Sequence, residues 1–170
     1  MDTSTSNSAP TEPRVSALST VAEQAAAIDE LIALARHRIR VFDQDLSQTG
    51  WNSPARTERL GAFLRELRGR RLDIIVHDTR YIESACPRLV RLLQGYGHAM
   101  SILRTGDEAR VATNPLVIVD NKHYLHRFHF EQPRATLAID APEQTQLLAN
   151  RFEEIWATGE VGLSGTVLGL

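Results

Sequence analysis

Short runs of continuous apolar residues recur along this chain, and each stops abruptly at polar side chains. Ile39–Phe42 runs into Asp43, Leu72–Val76 into His77 and Asp78, and Leu116–Val119 into Asp120. A run that is apolar at nearly every position leaves no face for water, so it fits a strand buried on both sides. Such a sheet needs helices above and below it, and helical patterns lie between the runs.

The first helix starts after Thr20, which stands in capping-box spacing with Glu23, and its stripe runs through Val21, Ala25, Ile28 and Ile32 toward the first strand. A polar loop through Gly50, Trp51 and Asn52 leads to a second helix. There Ser53 is the N-cap, Pro54 takes the first position, Leu60, Phe63, Leu64 and Leu67 form the apolar face, and Gly69 ends it. After the strand Leu72–Val76, a third helix begins near Pro87 and ends at Gly95 or Gly97. Strands are expected at His98–Leu103, Leu116–Val119, Tyr124–Phe128 and Ala135–Ile139, the middle two joined by a tight turn at Asn121-Lys122. A last helix, capped by Asp140 with Glu143, carries Leu148, Phe152, Ile155 and Trp156. The pattern predicts an α/β fold, a mixed sheet flanked by helices, with its parallel part early in the chain.

The expected domain covers residues 19–158. Residues 1–18, rich in Ser, Thr and Pro, are expected to form a flexible tail, and residues 159–170 a Gly-rich one. At 170 residues the chain can bury a core without staples, and Cys86, its one cysteine, has no disulfide partner within it. No stretch approaches the roughly 20 apolar residues of a membrane span, so a cytoplasmic protein with no membrane partner is expected. A net charge of −2 argues against a broad basic face for nonspecific nucleic-acid binding and leaves room for a local cationic pocket. Every basic residue is arginine except Lys122.

In sheets of this kind ligands bind beyond the carboxyl ends of the parallel strands. The candidate ligand-binding residues are therefore Asp43, Asp45, His77, Asp78, Arg80, Arg104 with Thr105, Asp120, His126 and Arg127. Any one of them has a plainer reading, since strand ends become loops and loops are polar. His123, His126 and His129 recur at every third position, but on a strand neighbours three apart face opposite ways, and the outer two lie about 20 Å apart, too far to share an ion. No metal and no cofactor is expected. Cys86 before Pro87 could be a helix-end thiolate or a small buried cap. Arg88 and Arg91 could hold a phosphate or form a solvated face.

The segment Pro115–Asp120, followed by Leu147, Leu148 and Arg151–Trp156, resembles the strand and last helix of a phospholipase D-like half-domain. Active members of that family carry His-x-Lys-x-x-x-x-Asp, in which the histidine attacks a phosphodiester and the lysine holds phosphoryl oxygens. With Asp120 on the motif's Asp, Thr113 stands at the histidine and Pro115 at the lysine. Neither supplies a nucleophilic imidazole or a charged donor. Phe42, Asp43, Pro87–Leu89 and His126–Phe128 are similar to a pattern in uncharacterised bacterial phospholipase D-like domains, some of them tails on acetyltransferases of the GNAT type.

The resemblance implies a non-catalytic domain that binds an anionic small molecule or a protein partner at the strand ends. A second reading is an unconventional phosphoryl-transfer or hydrolytic enzyme. There His126 is base or nucleophile, Asp43, Asp78 or Asp120 orient it, and Arg80 or Arg104 stabilise charge. A third is a structural module: active members pair two half-domains, and a homodimer would supply the second.

Overall fold

The computed structural model describes residues 12–165. One eight-stranded sheet runs through it. In chain order the strands are β1 (Arg14–Leu18), β2 (Arg38–Asp43), β3 (Arg71–Val76), β4 (Met100–Arg104), β5 (Leu116–Val119), β6 (His123–His129), β7 (Gln132–Ile139) and β8 (Glu160–Leu163). The helices are α1 (Val21–Leu34), α2 (Pro54–Glu66), α3 (Arg80–Ala85), α4 (Pro87–Gly95) and α5 (Pro142–Ala157). Across the sheet the order is β1-β7-β6-β5-β2-β3-β4-β8, with β2, β3 and β4 parallel and every other pairing antiparallel.

The two capping expectations near the start hold. Thr20 Oγ1 accepts from Glu23 N at 3.1 Å, and Ser53 Oγ accepts from Arg56 N at 3.4 Å. A hairpin turn also joins β5 and β6, one residue longer than the expected Asn121-Lys122: it spans Asp120 to Lys122, with Asp120 and Asn121 both at positive φ. Alternation along the strands then divides the interior in two. Ile39, Val41, Leu72, Ile74 and Val76 face α1, α2 and α4, while Phe42, Ile75, Leu116 and Ile118 face α5 through Phe152 and Ile155.

Three expectations are corrected and one element is added. Residues 14–18 are not tail: they form the edge strand β1, paired along its whole length with β7, because the backbone of β7 offers a free side that needs no apolar sequence to fill it. The sequence-based tail from Gly159 likewise contains β8, which pairs β4; at Gly162 any side chain would press on the β4 backbone at 3.0 Å. Between the strand ending at Val76 and the helix from Pro87, residues 80–85 form the additional short helix α3. Asp140 does not cap α5; it sits at positive φ, and Ala141 precedes Pro142 at the helix start. Residues 1–11 and 166–170 of the expected tails lie outside the described residues.

Candidate functional site

The carboxyl ends of β2, β3 and β4 gather most of the residues expected there, with the loop before β5 and the end of β6 beside them. His77 is the most fully built. Its Nδ1 lies 2.6 Å from Thr105 Oγ1 and its Nε2 2.7 Å from the Ala112 carbonyl. A carbonyl only accepts, so Nε2 is a donor, while Nδ1 is bonded to the threonine hydroxyl. The ring meets Phe42 and Phe130 edge-on, at 5.3 and 5.6 Å between centroids. The imidazole thus fastens the loop 105–112 onto the sheet and has no lone pair left over.

The positions that the resemblance aligns with the family's catalytic pair lie beside it. The Thr113 carbonyl accepts from Phe130 N and the Pro115 carbonyl from Arg127 N, both at 3.0 Å, and the Asn114 side chain donates to the Phe128 carbonyl. Backbone bonding to the end of β6 holds this segment closed.

The charged candidates are bonded within the chain. Arg80 grips Asp78 with Nη2 at 2.6 Å and Nε at 3.0 Å, which holds the Asp78 carboxyl down to about 2. Arg104 reaches Glu160 of β8 at 3.1 Å, and Arg110 lies 3.5 Å from Asp107. The Asp45 carboxylate accepts from Ser47 N at 3.0 Å inside its own turn. Arg127 is buried; its Nη1 donates to Gln48 and its Nε to the Gln132 carbonyl, and burial lowers its pKa against the pull of Asp43.

Asp43 is half-buried, on the α1 side near Arg127, around a cavity of about 20 Å³ lined also by Gln24, Thr49 and Trp51. Burial pushes its carboxyl up to about 6, with Asp45 adding to the rise and the Gln44 N–H and Arg127 opposing it. Against its ordinary 3.8, the native state holds the extra proton between about pH 4 and 6. Stability contributed by protonated Asp43 is therefore present at low pH and lost as pH rises through 6. Asp43→Asn is expected to stabilise the protein at pH 8 by up to about 3 kcal/mol and to flatten that part of the pH dependence, the rise from 3.8 to about 6 being worth about 1.4 kcal/mol per pH unit. Urea unfolding at intervals from pH 4 to 8 tests this; parallel profiles for the two proteins would contradict it.

Two expectations about the site are corrected by strand direction and face. Asp120 is not at this end. β5 runs antiparallel to β2, so its last residue falls beside the first residues of β2, where the Asp120 carboxylate accepts from Arg36 N, His37 N and Arg38 N at 2.7, 2.7 and 2.9 Å. It secures a loop on the opposite edge. His126 and Arg127 are neighbours on one strand and so face opposite sides. His126 lies toward α5, its pKa lowered by burial and then by Arg151, whereas Arg127 lies toward α1 with Asp43. His126 therefore shares no pocket with Asp43, and Asp120 lies at the far edge from both.

The remaining candidates have local roles. His123 Nδ1 accepts from Asp140 N at 2.8 Å and His129 Nδ1 from Glu131 N at 3.1 Å. Cys86 is buried between α3 and α4, where burial raises its pKa, so the thiolate reading is corrected to that of a buried cap. No helix among the described residues is long and apolar enough to cross a membrane. One cluster escaped the sequence reading: Arg65, Arg68, Arg70 and Arg71 surround Gly69, and treating Gly69 only as a helix stop passes over them.

Solved structures with this architecture include a phospholipase D family member, Nuc from Salmonella typhimurium. It is 16% identical with a TM-score of 0.64, over 88% of this chain and 97% of that one. TrmBL2, an archaeal chromatin protein whose structure shows a novel mode of DNA binding, is 13% identical with a TM-score of 0.67, over 92% of this chain and 56% of its own. Phosphatidylserine synthase of Haemophilus influenzae Rd KW20 is 17% identical with a TM-score of 0.61, over 95% of this chain and 42% of its own. The chain thus spans about half the length of the last two. The fold is that of phospholipase D-like proteins, a mixed sheet between helices. No protein of curated function matches the sequence. The chain belongs to the family described as Domain of unknown function (DUF7931), which it matches over residues 20–162.

Proposed function

We propose that this phospholipase D-like domain binds rather than cleaves, and that the carboxyl edge of its sheet is an interface for a second copy of the chain. The state of that edge carries the reading. Its inward imidazole, His77, has both nitrogens engaged, and Thr113 and Pro115 occupy the places that the resemblance assigns to an attacking histidine and a phosphate-holding lysine. The arginines expected to hold an anion there are bonded within the chain: Arg80 to Asp78, Arg104 to Glu160, and Arg127 to Gln48. A phosphate would have to break those contacts, which favours a protein partner over an anionic ligand at this edge.

Large apolar side chains stand exposed in the same region, Val111 at 84%, Phe128 at 45% and Tyr81 at 37%. Large apolar groups exposed along one edge are what an interface buries. Active members of the family that the chain resembles pair two half-domains, and a second copy of this domain is the partner that such pairing suggests.

Sedimentation equilibrium of the full chain, together with hydrolysis of a chromogenic phosphodiester, tests the reading. The expected results are a concentration-dependent dimer, its dissociation by Phe128→Asp or Val111→Asp with an unchanged circular dichroism spectrum, and no turnover above buffer. A monomer at every concentration would refute the interface. Turnover abolished by His77→Ala or by substituting Thr113 would refute the non-catalytic assignment.

A further inference from the structure

The opposite edge of the sheet holds a different kind of surface. A groove of about 580 Å³ opens between the C-terminal ends of α2 and α4, at the starts of β3 and β4. Arg65, Arg68, Arg70 and Arg71 line it together with Tyr96 and His98, and no Asp or Glu does. Its volume falls within the roughly 300–1,000 Å³ of small-molecule sites.

The four arginines differ in how far they are committed. Arg70 donates to the carbonyls of Arg36 and Phe63 at 2.7 and 3.2 Å and to Glu66 at 3.0 Å, which answers the negative end of α2. Arg71 is held by buried Asp73 at 2.9 Å and by the His98 carbonyl at 3.2 Å. Arg65 has a single long bond to the Tyr96 hydroxyl, 3.4 Å, and Arg68 has no polar partner among the described residues. Two guanidinium forks are thus uncompensated above a rim whose other charges are balanced. Gly69, at φ 88°, makes the turn that sets Arg68 and Arg70 on either side of the chain reversal into β3, a left-handed conformation that side chains rarely adopt.

Beside the forks, the Tyr96 and His98 rings lie 6.4 Å apart at 51° to one another. The exposed His98 ring and the uncovered part of Tyr96, which packs partly on the core, stand next to planar, bidentate donors and offer stacking and phosphate recognition together. From this juxtaposition we propose that the groove binds a nucleoside phosphate, the phosphate held by Arg65 and Arg68 and the base against Tyr96 and His98. The site is separate from the interface proposed at the carboxyl edge and does not depend on it. Two sources share the chemistry, a free nucleotide and the terminal phosphate of a single strand.

Titration calorimetry of the full chain with AMP, ADP, adenosine, inorganic phosphate and a 5′-phosphorylated thymidine hexamer tests the proposal. AMP or ADP is expected to bind one to one, more tightly than phosphate or adenosine and more weakly as salt is raised. Arg65→Glu and Arg68→Glu, both surface changes, should each weaken binding at least tenfold with the circular dichroism spectrum intact, while Leu147→Ser, an exposed change on α5, should leave it unchanged. Preference for the hexamer, with the same loss in both arginine variants, supports the site and assigns its ligand to a strand end. No saturable binding of any nucleotide or of the hexamer, or equal affinity in both arginine variants, would overturn it. Inorganic phosphate binding as tightly as AMP would overturn the assignment of the base.

Discussion

Asp73→Ala is expected to destabilise the protein by about 3 kcal/mol, the lower part of the range for removing one partner of a buried ion pair. The Asp73 side chain is 2% exposed and stands in β3 between two arginines. Arg38 reaches it with Nη2 at 3.0 Å and Arg71 with Nη2 at 2.9 Å. Both arginines are themselves more than a third exposed, so water takes over part of their solvation once the carboxylate is gone, and this places the expectation at the low end. Arg38 would then share only Glu153 with Arg40, a buried arginine 3.0 Å from the same carboxylate. The Arg40 pKa is lowered first by burial and then by Arg38, so it already sits where another positive neighbour is unwelcome. Urea denaturation of Asp73→Ala, Arg38→Ala and the double variant measures the coupling. A loss below about 1 kcal/mol for Asp73→Ala, with no coupling, would show that the carboxylate is dispensable.

Phe152→Ala should cost about 3 to 5 kcal/mol, the usual range for emptying a buried aromatic site. Phe152 is fully buried in the α5-side core, stacks on Trp156 at 5.7 Å between centroids, and lies 5.9 Å from the guanidinium carbon of Arg40. Two losses combine: the apolar contact with Phe42, Ile75 and Ile118, and the aromatic face over which a desolvated cation rests. For a domain of this size, thermal unfolding should fall by roughly 10 °C. Phe152→Leu, which retains most of the volume, should recover the greater part of that loss. A shift under 3 °C for Phe152→Ala would mean that α5 adds little to the fold.

The candidate site was legible in part. The residues at the ends of β2, β3 and β4 converge as the parallel-strand argument requires, and His77 with Thr105 proves to be a bonded pair at the loop they enter. The internal pairing of Arg80 and Arg104 was not legible. Asp78 is two residues from Arg80, but the sequence does not say that the two side chains meet, and Glu160 arrives only because β8 returns along β4. The four arginines around Gly69 were visible as letters, yet their groove exists only because the turn at Tyr96–His98 packs across from them.

The chain by itself determined what a few neighbouring residues decide together: the helix starts at Thr20 and Ser53, the doubly buried strands, a turn around Asn121-Lys122 and the α/β class. Each rests on local backbone preference or on the period of apolar side chains, and neither changes when distant segments are rearranged. Tertiary structure alone decided the direction of β5, which moved Asp120 to the far edge, and the face on which His126 lies. It also decided the pairing of the polar edge strands β1 and β8. Those outcomes depend on hydrogen bonds between residues far apart in sequence, where backbone donors and acceptors are the same for every side chain and leave no mark in the order of residues.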